Sequence, residues 1–270
     1  MATNPESIQF PTIKELGLDL LELTRLQKMW TILKPFILFG LYFYFSFNEY
    51  WVLAVLTIVF LLFVTYVSTS HDLVHNTLRI NKGLNNVLLS VIEMLVLRSG
   101  HAFKICHLQH HRAFPDHSDI EGASAHMSFI RTLLEGPFYF FRLYRWAFKN
   151  PKITDRNWMI LEGIVFLLYV AAALLFYHLF PQLLFYFICV QVGSWAYPLF
   201  TVYIPHNAKG IHPVYQTRAF RGPVISTLFA HHNYHLEHHL YPMVPHQNWK
   251  KLALRLDPYL LRANINIIKL

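Results

Sequence analysis

The chain has 270 residues, 54% of them hydrophobic and 16% aromatic, and a mean hydropathy of +0.32. That is too apolar for an ordinary soluble domain and reads as one integral membrane domain over residues 1–270. The formal charge of +8 suits anionic lipid headgroups, and with no soluble basic domain to carry it, nucleic-acid binding is not expected.

Met1 to Asp19 is polar or weakly amphipathic and lacks the charged leader and apolar core of a removable signal, so a retained cytosolic start is expected. Ile13 to Trp30, with Leu16, Leu20, Leu23 and Met29 on one side, reads as an interfacial helix or as a helix packed on the spans. Four stretches then approach the roughly 20 apolar residues a bilayer requires. They are Thr31 to Phe47, Tyr50 to Thr69, Trp158 to Tyr177 and Pro181 to Ile204. The first pair turns at Asn48 and Glu49, the second at His178 to Pro181. Leu84 to Leu97 is short and carries Glu93, so it is expected to dip into the membrane and return. Met127 to Phe148 alternates aromatic residues with Arg131, Arg142 and Arg145 and reads as an interfacial helix, or again as a packed core helix. The expected fold is an all-α integral membrane protein: four transmembrane helices in two hairpins, a short re-entrant helix and a cytosolic histidine-rich cap.

If the short run does not span, the histidine clusters fall on one face. The basic residues agree, since all 23 Lys and Arg lie up to and including Lys34, from Arg79 to Arg156, or from Lys209 onward. Neither opposite turn has any, which places both termini and the histidines on the cytosolic side of a multi-pass protein. The two cysteines, Cys106 and Cys189, sit in unlike settings and are expected as reduced thiols, Cys106 as a buried structural one.

Eight histidines fall in three clusters: His71 and His75; His107, His110 and His111; His235, His238 and His239. Neutral imidazole binds first-row transition metals without a charge, and residues four apart share a helix face. This is enough imidazole for two metal ions. Three unrelated surface patches are a poor explanation of three clusters on one face. A zinc peptidase fits badly, because Asp72 stands where a general base is wanted and Leu73 and Val74 supply none. Zinc also needs only three or four ligands.

The pattern His71-Asp-Leu-Val-His75, His107-Leu-Gln-His110-His111 and Asn233-Tyr-His235-Leu-Glu-His238-His239-Leu-Tyr-Pro242 resembles the membrane fatty-acid desaturase superfamily over most of the chain. The resemblance implies a non-haem di-iron centre, two iron ions passing between Fe2+ and Fe3+, that activates O2 and removes hydrogen from an unactivated C–H bond of a lipid. By motif it assigns His71, His75, His107, His110, His111, His235, His238 and His239 as ligands. Family members use one more histidine beyond the fourth span, a place His206 occupies. Asp72 and Glu237 are expected behind the ligands, accepting imidazole N–H bonds, and Asp116, Asp119 and Glu121 are weaker candidates for the same task. His101, His117, His126, His178, His212 and His246 read as surface or interfacial residues, and His231 and His232 are left outside the ligand set.

Acyl desaturation is the first expectation, and hydroxylation or ketolation of a carotenoid or other lipid the second, since the length and the Glu-His-His-Leu-Tyr-Pro segment are also similar to carotenoid ketolases. Trp195, Tyr197, Phe200 and Tyr203 could line a lipid path or simply pack. A metal transporter is disfavoured because the histidines sit at span ends rather than at mid-membrane depth. A dead scaffold is disfavoured because every boxed histidine is present. With no dinucleotide fingerprint, cysteine cluster or fused haem domain in the sequence, electrons are expected from a ferredoxin or cytochrome b5-like donor, drawn to basic residues such as Arg142, Arg145 and Lys149.

Overall fold

The computed structural model describes residues 10–150, 153–222, 226 and 230–270; the first nine residues of the polar start lie outside them. The chain enters through α1 (Ile13–Leu16), a 3-10 turn (Leu18–Leu21) and α2 (Arg25–Phe47). The single helix expected over Ile13 to Trp30 is therefore broken. Gly17 takes a φ of 112°, where a side chain would be strained. Thr12 and Thr24 each close a capping box with Glu15 and Gln27, so each starts a new helix.

The first hairpin continues into α3 (Trp51–Val64), a π turn (Thr65–Thr69) and α4 (Ser70–Val74). The second pairs α8 (Ile153–Leu175) with α9 (Pro181–Ser194), which ends in another π turn (Pro198–Tyr203). Among the described residues four segments are long and apolar enough to span: Leu18–Phe47, Trp51–Val74, Thr154–Leu175 and Pro181–Tyr203. Their outer faces, including Ile37, Val52, Leu56, Leu167 and Ile188, are exposed, as a lipid solvent requires. Pro198 has no N–H to give the preceding turn, and Thr65 returns its hydroxyl to the Leu61 carbonyl at 2.8 Å. Both features favour a widened turn, and each widened turn lies just before a site histidine, His71 or His206.

Between the hairpins, α5 (Lys82–Leu95) and α6 (Gly100–Ala113) form one apolar unit bent by 105°, longer than the re-entrant run read from hydropathy. The bend is built from polar pairing at depth. Arg98 is 4% exposed and Glu93 1%, their Nε and Oε2 atoms are 3.0 Å apart, and the guanidinium lies 4.5 Å over the Tyr197 ring. Tyr186 from α9 donates to the Leu95 carbonyl. Then α7 (Phe129–Lys149) follows, matching the amphipathic stretch. Thr132, Gly136, Tyr139, Leu143 and Ala147 face inward, while Ile130, Leu134, Phe138 and Phe141 are exposed. A Cβ on Gly136 would lie 2.3 Å from the Trp195 carbonyl oxygen, so glycine permits the α7–α9 contact.

The remainder forms a cap. It contains α10 (Pro213–Gln216), α11 (His235–Leu240), α12 (Trp249–Arg262) and one small parallel pair of β1 (Ala219–Arg221) with β2 (Ile267–Lys269), and with an isolated antiparallel bridge between His206 and Thr217 this is the only β pairing among the described residues. The N-terminal segment is lashed to it. Asn248 donates to the Leu20 and Glu22 carbonyls at 2.9 Å, and Arg255 bridges both Asp19 oxygens at 2.8 Å.

Candidate metal centre

The first cluster sits on α4, where the π turn delivers it from the second span. His75 ends the helix one turn beyond His71. The second lies on the last turns of α6, and the third forms α11. His206 follows the second π turn. These nine histidines, from four separate places in the chain, come together in two groups. His71, His75, His107, His111 and His238 make one, and His110, His206, His235 and His239 the other, with one ring nitrogen of each within 4.8 Å of all others in its group. His75, His111 and His239 are half-buried and the other six are buried, so the set has one more open edge.

Which nitrogen faces inward is fixed from behind. His206 Nδ1 lies 2.9 Å from the Val202 carbonyl, which can only accept, so Nδ1 carries the proton and Nε2 a lone pair. His110 Nδ1 faces Asp119 at 2.7 Å and His107 Nδ1 faces Glu121 at 3.0 Å, so in the neutral ring each Nε2 is the lone-pair nitrogen. Tyr66 also donates to Glu121, at 2.7 Å. His110 and His206 Nε2 are 2.9 Å apart, and His206 Nε2 is 3.2 Å from both His235 and His239 Nε2. Burial and the neighbouring imidazoles hold His206, His235, His238 and His239 well below the usual histidine range, so the rings are neutral near pH 7. Lone pairs packed this closely repel unless a cation lies between them. The buried Nε2 atoms of His71 and His75 have no hydrogen-bond partner either. The donor set therefore fits two first-row transition-metal ions with all-imidazole protein ligation.

The carboxylates differ from expectation. Asp72 does not accept from a boxed histidine. Its oxygens take the His246 Nδ1 proton at 2.5 Å, the His246 backbone N–H at 3.0 Å and the Thr77 hydroxyl at 2.8 Å, because α4 turns Asp72 away from its neighbour His71 toward the cap. Glu237 likewise faces Arg221 at 2.5 Å, and Arg221 also holds Asp257 at 2.6 Å. Asp119 and Glu121 occupy the place behind the ligands instead, through a loop that returns under α6; Asp116 is exposed and accepts only the Ser118 N–H. His246 is buried rather than at the surface, as is His101, whose Nδ1 lies 2.8 Å from Glu162. His117, His126 and His178 are exposed as expected, His212 half-buried, and His232 is buried beside His235 but outside both groups. Cys106 is buried, with Sγ against the Leu143 carbonyl.

A model of the family described as fatty acid desaturase matches residues 25–270. The chain belongs to the fatty acid desaturase family. Among curated proteins none matches it. Membership makes this desaturase-family chain a membrane oxidoreductase acting on lipid, and the two histidine groups give it a place to hold metal.

Proposed function

We propose that this family member catalyses the O2-dependent oxidation of an unactivated C–H bond of a membrane lipid, with fatty acyl desaturation as the reaction. The observation that supports it is the division of nine histidines into two groups with lone pairs turned inward. His71, His75, His107, His111 and His238 hold one iron and His110, His206, His235 and His239 the other. Bound there, the irons supply the oxidising power, with O2 as co-substrate and electrons from a ferredoxin or cytochrome b5-like donor. Asp119 and Glu121 keep the Nδ1 protons of His110 and His107 in place, so the facing nitrogens stay basic. Trp249, with its ring centre 5.2 Å from that of His71 and 5.0 Å from that of His238, backs the first group and keeps water from it.

An apolar cavity of about 300 Å³ between α3 and α9, lined by Leu62, Phe63, Tyr197, Phe200 and Thr201, suits an acyl chain. Phe200 also borders a second cavity that reaches His232 and Asn233, next to His235. Of the aromatic residues expected on a lipid path, Tyr197 and Phe200 lie here, Trp195 borders a different cavity and Tyr203 borders neither. The distribution of Lys and Arg supports a cytosolic centre with both termini on that side. Arg145 and Lys149 are exposed, and Arg142 is paired with Glu135 at 3.2 Å, which leaves Arg145 and Lys149 as the stronger candidates to meet an acidic donor.

Lipid mass spectrometry of cells expressing the protein beside a His238→Ala, His239→Ala variant tests the reading. Acyl chains lighter by two hydrogens only with the intact protein are the expected result. Oxygen added to a chain or pigment would assign hydroxylation or ketolation, and no intact-protein-specific change would refute the proposal.

A further inference from the structure

A cavity of about 410 Å³ lies where the α5–α6 bend meets α7, α8 and α9. Its wall is mostly apolar, yet it carries unused hydrogen-bond donors on Arg98, Tyr144 and Gln191. Arg98 Nη1 is buried with no partner, although Nε faces Glu93 and Nη2 reaches Thr65 at 3.2 Å. Tyr144 accepts the Ser99 N–H at 3.3 Å, which leaves its own proton free to donate. Gln191 stands on the fourth span, roughly 15 Å of helix rise from Pro181 and about 18 Å from Tyr203, which is mid-membrane depth. Its amide makes no hydrogen bond to the protein. Three other polar side chains on the wall are satisfied: Ser99 donates to Glu162 at 2.6 Å, Ser194 to the Val190 carbonyl at 2.7 Å, and Glu162 also accepts from Ser90 and His101. Unused donors inside a bilayer have no water to satisfy them and are costly unless a ligand supplies an acceptor.

We propose that this cavity is a lipid-binding site whose occupant carries a neutral oxygen, a hydroxyl or a carbonyl, held by Arg98, Gln191 and Tyr144. The occupant is neutral because the Arg98 charge is already matched by Glu93, and a further anion would be buried without a counter-charge. The volume is that of a small-ligand site. The walls suit an apolar body, with Phe140, Phe141 and Phe166 along them, and the absent side chain of Gly163 leaves room. The site is distinct from the α3–α9 cleft proposed for the reacting chain, and its occupancy does not depend on the reaction assigned above. It nevertheless touches the centre's support, since the Arg98 guanidinium lies 5.6 Å over the Tyr66 ring and Tyr66 donates to Glu121 behind His107. The occupant is either a resident membrane lipid or a molecule the enzyme turns over, and the oxygen chemistry is common to both.

The test uses the purified full chain in nanodiscs with two labelled probes, a saturated long-chain ketone with its carbonyl at mid-chain and the hydrocarbon of the same length. One or two new hydrogen bonds predict about tenfold tighter binding of the ketone. Gln191→Leu should remove most of that preference. Gly163→Leu, at a position where a Cβ meets nothing within 4 Å, should block both probes without disturbing the helix. Equal affinity for the two probes in the wild type overturns the proposal, and so does a preference that survives both substitutions. Mass spectrometry of lipids co-purified with wild type and lost from Gly163→Leu then identifies the occupant: a bulk glycerolipid marks a resident lipid, and a species consumed on turnover marks a substrate. Bound iron, measured on each variant, separates this result from the fate of the proposed reaction.

Discussion

The carboxylates behind the histidines let the two metal positions be disturbed one at a time. Glu121 supports His107, a member of the five-histidine group, and Asp119 supports His110, a member of the four-histidine group. Glu121→Gln and Asp119→Asn preserve volume while replacing an ionised acceptor by an amide. An amide whose nitrogen turns inward cannot accept the Nδ1 proton, and the imidazole then loses its fixed tautomer. Changes of this kind typically cost 10- to 100-fold in metal affinity, or about 1.4 to 2.8 kcal/mol. Asp119 also accepts the Glu121 and Gly122 N–H groups at 3.1 and 3.0 Å through its other oxygen, so its loss disturbs the loop as well and should fall at the larger end. The assay is iron per protein by plasma mass spectrometry after graded chelator exposure. Each single variant is expected to retain about one of two irons at a chelator level that leaves the wild type full, and the double variant to retain neither. If both single variants hold two irons with wild-type resistance, the assignment of these carboxylates, and the split of the histidines they support, is refuted.

Arg221→Met strands Glu237, which is fully buried, and should destabilise the cap by about 3 to 5 kcal/mol; thermal unfolding in detergent should show partial recovery when Glu237→Gln is added. Gly136→Val forces a side chain onto the Trp195 backbone and should cost about 1 to 3 kcal/mol, seen as a lowered melting temperature, whereas Gly40→Val at an open position should change little. Thr24→Ala removes the cap of the first span helix and should cost about 1 kcal/mol, with faster amide exchange confined to the first turn of α2. An impermeant thiol reagent applied to sealed inside-out vesicles should label Lys209→Cys and not Asn48→Cys; the opposite pattern would reverse the proposed orientation.

Much of the architecture was legible because apolar length is a strong signal, and the two hairpins and α7 lie close to where hydropathy puts them. Hydropathy was silent where polar local chemistry decided the path. Thr12 to Glu15 and Thr24 to Gln27 are capping-box spacings readable in the chain, and they mark the starts of α1 and α2. The length of the α5–α6 unit was hidden for another reason: α6 carries Lys104, His107, His110 and His111, and its low apolarity masks a helix that is buried by contacts rather than by composition. The parallel pairing of Ala219–Arg221 with Ile267–Lys269 joins segments far apart in sequence, and neither segment is long enough to announce a strand.

The same division runs through the site. Spacing on a helix makes His71 and His75 neighbours, but only the tertiary fold decides which group each histidine joins, and it separates His110 from the adjacent His111. Adjacent residues on a helix point about 100° apart, so an H-H pair naturally serves two centres rather than one. His238 and His239 are divided in the same way. Adjacency therefore misled for the carboxylates for the reason it succeeded for the histidines. Asp72 and Glu237 stand next to ligands in sequence, and that helical rotation sends their side chains off to His246 and Arg221. The carboxylates that do reach imidazole, Asp119 and Glu121, come back from a loop beyond α6 and approach from behind. A residue that shares a metal pocket's hydrogen bonds is thus better sought one loop away than one residue away, and the acidic stretch after the second histidine cluster was the signal in this sequence that pointed there.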